Sequence, residues 1–108
     1  LLGNIRGLGL PHEPDTVRSN WQSFCVRLPD GCDQRRVMQS MLEDGVATRR
    51  GIMCSHREPA YLDMRHPWPL PHSEAAQDRC VVLPLYPQMT EAELVSVADA
   101  LRQACSQR

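Results

Sequence analysis

The sequence contains no lysine; all twelve of its basic residues are arginine. Without an ε-amino group, the only amine able to condense with a carbonyl is the α-amino terminus, so this chain alone cannot run chemistry through a lysine Schiff base. Aromatic residues are scarce, two Trp, two Tyr and one Phe, and the core is expected to consist of Leu, Val, Met and Ala. The five cysteines, at positions 25, 32, 54, 80 and 105, are odd in number and include no C-x-x-C pair. That argues against a disulfide framework or a zinc ribbon and for reduced thiols in a cytosolic setting. No apolar run approaches the roughly 20 residues that span a bilayer, and Leu1 to Arg6 lack the apolar stretch of an export signal, so a cytoplasmic protein without membrane contact is expected. Charge of one sign is lacking too. A formal net charge of −1 provides no general pull on nucleic acid, and any anion must be met by arginines placed locally.

What is present suits a single domain. A chain of 108 residues encloses one modest core and is short for a cofactor enzyme with its own substrate pocket. The missing initiator Met and the abrupt start are what excision from a longer protein leaves. Residues 1–19 read as an extended, loosely held segment, with three glycines in the first nine positions and Pro11-His12-Glu13-Pro14-Asp15 behind them, and 20–108 as the folded domain. Trp21 to Leu28 reads as a strand stopped by Pro29-Asp30-Gly31. Asp33 to Asp44 carries a helical stripe at Val37, Met38, Met41 and Leu42, with an Asp to cap it and Gly45 to end it. Val46 to Thr48 and Ile52-Met53 read as short extended pieces on either side of Arg49 and Arg50.

Four prolines between Glu58 and Pro71 exclude regular helix or central strand and predict a long loop. Ser73 is suited to cap a short helix through Arg79, and Cys80 to Leu83 reads as a buried strand. Thr90 with Glu93 three residues later forms a capping box, followed by Leu94, Val97, Ala98 and Leu101 at helical spacing. The order implies an α+β, two-layer domain: a short, mostly antiparallel sheet covered by helices on one face.

Two stretches carry more specific information. Gly45-Val46-Ala47-Thr48-Arg49-Arg50-Gly51-Ile52-Met53-Cys54-Ser55-His56-Arg57-Glu58-Pro59-Ala60-Tyr61 and Val81-Val82-Leu83-Pro84-Leu85-Tyr86-Pro87-Gln88-Met89-Thr90-Glu91-Ala92-Glu93 resemble the C-terminal small domain of the DegT/StrS-type sugar-nucleotide aminotransferases. The resemblance runs from about Asn20 to Ala104. It implies a fold-type-I aminotransferase small domain and a parent enzyme that uses pyridoxal phosphate (PLP) to aminate a keto-sugar nucleotide, with glutamate as the amino donor. It further implies that the Schiff-base lysine lies in a large PLP-binding domain of the same protein, that the small domain closes over the active site, and that the full-length protein is a homodimer. Two departures mark the chain: Gly51-Ile52 stands where many members have His-Tyr, and Gln22 where they have a histidine.

His56, Arg49, Arg50 and Tyr61 are the candidate substrate- or cofactor-contacting residues, and none is assigned a catalytic role. By resemblance His56 lies near cofactor and substrate; on its residue type alone it is equally a loop histidine with a structural hydrogen bond. A guanidinium matches diphosphate oxygens two at a time. Adjacent strand residues point to opposite faces, so one of Arg49 and Arg50 at most faces a given ligand, and a solvated pair is the plain alternative. Tyr61 either contacts substrate or anchors the proline-rich loop. Cys54-Ser55-His56 as a Cys-His nucleophile, and His56, His66 and His72 as a metal loop, are weak alternatives, because neither spacing brings the groups into working geometry. The rival to an aminotransferase piece is a free-standing, non-catalytic α+β binding or regulatory module.

Overall fold

A computed structural model of the chain describes residues 1–64 and 68–106. In chain order it contains β1 (Phe24–Arg27), α1 (Gln34–Glu43), β2 (Arg49–Arg50), two 3-10 turns (Ser55–Arg57 and Pro59–Tyr61), α2 (Pro71–Arg79), β3 (Cys80–Leu83) and α3 (Glu91–Ser106). The three strands form an antiparallel sheet in the order β1-β3-β2. This is the α+β architecture expected from the sequence.

Register sorts the strand side chains. Phe24 pairs with Leu83 and Val26 with Val81, and these face the helices; Cys25 pairs with Val82, and these face the other way. Val26, Val81 and Leu83 meet Val37 and Met41 of α1 and Ala100, Leu101, Ala104 and Cys105 of α3 in one core. Burial of such side chains drives the assembly at about 25 cal/mol per Å² of apolar surface removed from water.

Helix α1 begins where Asp33 Oδ1 accepts the Arg36 N–H at 2.8 Å. It ends in a Schellman arrangement: the Val46 N–H reaches the Met41 carbonyl at 2.8 Å and the Gly45 N–H reaches that of Leu42 at 3.0 Å. The turn holds Gly45 at φ +80°, where a Cβ is unfavourable. On α3 the capping box forms as read: Glu93 Oε2 accepts from the Thr90 N–H at 2.7 Å, and Thr90 Oγ1 accepts from the Glu93 N–H at 3.3 Å.

Several local expectations need correction. The N-terminal segment is not loosely held. Ile5 is part of the core, Leu2 and Leu8 pack against it, and Gly9 exchanges two backbone hydrogen bonds with Arg27, at 2.8 and 2.9 Å, along the open edge of β1. Apolar residues three apart outweigh the glycines between them. β1 starts at Phe24 rather than Trp21, which sits at φ +49° outside the strand and stacks on Phe24. β2 is Arg49–Arg50 itself, not the residues flanking it. α2 starts at Pro71, whose fixed φ suits the first helical position, and Ser73 lies inside the helix without capping it. Leu42 is exposed because the inward face of α1 runs through Gln34, Val37 and Met41, and Leu94 is 40% exposed because it lies in the first turn of α3, ahead of the buried Ala98, Leu101 and Cys105 on the same face. Of the proline-rich loop, residues 65–67, His66 among them, lie outside the described residues.

Candidate functional site

All three strands converge on one end of the sheet, where β1 runs out, β3 begins and β2 gives way to Gly51. Helix α2 is tied across this end by side chains distant in sequence. Gln34, the buried first residue of α1, donates its amide to the carbonyls of Gln77 (2.8 Å) and Cys80 (2.7 Å). The Gly51 N–H donates to the same Cys80 carbonyl at 3.0 Å. A Cβ at Gly51 would lie 3.1 Å from Cys80 Cβ and 3.2 Å from the Ala76 carbonyl oxygen, so glycine permits the close approach of chain and helix end. Arg79 reaches back to the Leu28 carbonyl at 3.2 Å and to the Asp30 carboxylate.

The segment after Gly51 is stitched along α2. The Cys54 N–H donates to Gln77 Oε1 at 2.6 Å, and its thiol to the Ser73 carbonyl at 3.1 Å. His56 Nε2 lies 2.9 Å from Glu74 Oε1, with only 13% of the histidine side chain exposed. Arg57 bridges Glu74 at 3.3 Å and Asp78 at 2.7 Å. The hydrogen bond from His56, and then the charge of Arg57, hold the Glu74 carboxyl below the usual carboxylate range. Arg57 is correspondingly shifted up, chiefly by its hydrogen bond to Asp78. A cleft of about 380 Å³ beside this network is lined by His56, Cys54, Ser55 and the strongly exposed Ile52 and Met53.

The four candidates from the sequence do not share a cavity. His56 lines the cleft beside α2. Arg49, opposite Val82, projects on the open face of the sheet into a recess shared with Gln22 and Ser23. Arg50, opposite the buried Val81, projects on the helix-covered face beside α1. Tyr61 ends the second 3-10 turn and is half exposed. Cys54 is buried and donates to a backbone carbonyl rather than to His56. Among the described residues no group of three or more His, Cys, Asp or Glu is placed to hold a metal ion. Sequence reading missed Gln34, Glu74 and Gln77, whose polar side chains read locally as solvated helix positions.

Comparison with known proteins identifies relatives of the chain. Residues 1–102 match the DegT/DnrJ/EryC1/StrS aminotransferase family. A curated relative, the dTDP-4-dehydro-2,3,6-trideoxy-D-glucose 4-aminotransferase of Saccharopolyspora spinosa, is 37% identical over 106 residues, which are 96% of this chain and 26% of the relative. The crystal structure of DesI in the presence of its TDP-sugar product superposes with a TM-score of 0.87 at 27% identity, over 99% of this chain and 28% of DesI. The aminotransferase TlmJ from Streptoalloteichus hindustanus shares the fold, with a TM-score of 0.84 at 23% identity over 98% of this chain and 28% of TlmJ. The chain thus spans about a quarter of the length of the proteins it matches.

Proposed function

Because this chain belongs to the DegT/DnrJ/EryC1/StrS aminotransferase family, we propose that it serves as the C-terminal small domain of a PLP-dependent enzyme that aminates a keto-sugar nucleotide. The observation that carries the reading is the match along almost the whole chain to sugar aminotransferases of which it covers only about a quarter. In the proposed reaction the ketone oxygen of the sugar is replaced by an amine, while glutamate gives up its amino group and leaves as 2-oxoglutarate. The cytoplasm is the proposed location; among the described residues no helix is long and apolar enough to cross a membrane.

The residues present do not fit a PLP holder, since no lysine exists to anchor the cofactor. The Schiff-base lysine is assigned to the large domain of the same protein, which is the proposed partner within a homodimer. This chain's part is to position the sugar nucleotide and exclude water. His56 is suited to that work because Glu74 and the stitched 54–57 segment fix its ring before any ligand arrives. Only one of Arg49 and Arg50 can face the diphosphate, given their opposite directions on β2. Tyr61, half exposed at the end of its 3-10 turn, is a further proposed contact.

The test uses the full-length enzyme with a dTDP-linked 4-keto sugar, PLP and glutamate, with the amino sugar detected by mass spectrometry. His56→Ala should lower kcat/KM about tenfold to a hundredfold, the equivalent of about 1–3 kcal/mol of lost transition-state contact. Undiminished kcat/KM alongside a melting temperature lowered by several degrees would make the histidine a structural tether of α2 alone.

A further inference from the structure

The edge of the sheet away from β1 carries a groove that Arg50 lines without Arg49, His56 or Tyr61. Between α1 and β2 lies a groove of about 330 Å³, walled by Met38, Leu42 and Ala47 and rimmed by Arg35 and Arg50. Both guanidinium side chains are exposed, and among the described residues neither makes an ion pair, whereas Arg57, Arg79 and Arg102 all do. No carboxylate lines the groove; Glu43 and Asp44 border the separate polar cleft on the other side of Arg35. Thr48 lines the same groove, and its Oγ1 is buried without a hydrogen-bond partner among the described residues. An orphaned buried hydroxyl is costly and therefore uncommon in a native fold, and it points to a partner that the chain itself does not supply.

We infer that Arg35, Arg50 and Thr48 form a binding site for a phosphate-class oxyanion carrying an apolar or aromatic body. Two planar guanidinium forks meet the tetrahedral oxygens with charge-assisted hydrogen bonds. The Thr48 hydroxyl, which has no partner among the described residues, is the further donor the site would offer. The apolar walls take up the body of the ligand, which separates this site from a bare anion patch on the surface. Arg50 faces the helix side of the sheet and Arg49 the open face, so the two arginines serve different recesses, which meet at Ala47 and Thr48.

The full 108-residue chain is titrated with phenyl phosphate and with inorganic phosphate, and backbone amide shifts are followed residue by residue. Phenyl phosphate should perturb residues 35, 48 and 50 and bind more tightly than inorganic phosphate. Arg35→Ala and Arg50→Ala should each weaken it about tenfold, the loss expected for one charge-assisted contact, while Arg36→Ala leaves affinity unchanged. Thr48→Val separates site from scaffold: removing the orphan hydroxyl should raise the melting temperature and weaken phenyl phosphate binding together. Shifts spread over all arginines alike, equal affinity for the two probes, or Thr48→Val binding as tightly as the parent would each overturn the assignment. No cofactor or sugar nucleotide enters the measurement, so a negative result leaves the aminotransferase reading untouched, and loss of that reading leaves this one standing.

Discussion

Gln34 offers the sharpest test of how the site end of the fold is held. Its Nε2 group donates at 2.8 Å to the Gln77 carbonyl and at 2.7 Å to that of Cys80. The Gln77 carbonyl belongs to the last turn of α2, where carbonyls have no partner within the helix, so a donor must come from elsewhere. In Gln34→Leu the volume is nearly kept and both bonds vanish. The Cys80 carbonyl retains the Gly51 N–H at 3.0 Å, whereas the Gln77 carbonyl loses its side-chain donor. One carbonyl left unsatisfied in a buried place costs about 1–3 kcal/mol. For a domain of this size that lowers the melting temperature by roughly 4–8 °C per kcal/mol.

Gln34→Glu should be worse at neutral pH, because a carboxylate offers no hydrogen to two facing carbonyls. Burial beside those carbonyls raises the folded-state pKa of the new carboxyl above its unfolded value. Its penalty therefore grows as pH rises above the unfolded value and is relieved in acid, where the protonated group donates once again. Urea or thermal unfolding followed by circular dichroism, at neutral pH and near pH 4, reads both effects. A Gln34→Leu chain within about 0.5 kcal/mol of the parent, the range of an ordinary surface change, or a Gln34→Glu chain no weaker than Gln34→Leu at neutral pH, would refute the reasoning.

Other outcomes follow from neighbouring geometry. Gly51→Ala places a Cβ 3.2 Å from the Ala76 carbonyl oxygen, a backbone atom that yields only if α2 moves, and should cost on the order of 1–3 kcal/mol in denaturant unfolding. Glu74 has its pKa depressed by His56 and Arg57, so its contribution is present above the ordinary carboxylate value and lost as pH falls through the depressed one. Glu74→Gln should abolish that part of the acid dependence of stability, and an unchanged pH profile would place the pair among solvated surface contacts. Borohydride reduction of the 108-residue chain mixed with PLP should give no stoichiometric adduct at an internal residue, because no lysine is there to receive it; mass spectrometry of the intact chain decides.

Signals confined to a few neighbouring residues were readable in the chain itself. The Thr90–Glu93 box, the Asp33 cap and the Gly45 stop act within one helical turn, and the strands at Phe24–Arg27 and Cys80–Leu83 are dense in residues suited to a pleated, half-buried surface. The opposite directions of Arg49 and Arg50 were likewise legible, since alternation is a property of any strand. The absence of lysine excluded, without any structure, an internal lysine Schiff base in this chain.

Tertiary structure alone decided what lies opposite what. The partner of His56 is 18 residues away, that of the Cys54 N–H 23 away, and the two carbonyls under Gln34 are 43 and 46 away. Nothing in local sequence distinguishes a glutamine that sews two helices together from one that faces water. The N-terminal segment illustrates the same limit: three glycines predict freedom, but Ile5 finds a place in the core and Gly9 finds the unpaired edge of β1. Propensity is set by a residue's immediate neighbours, whereas burial and pairing depend on surfaces that come into being only when distant parts of the chain meet.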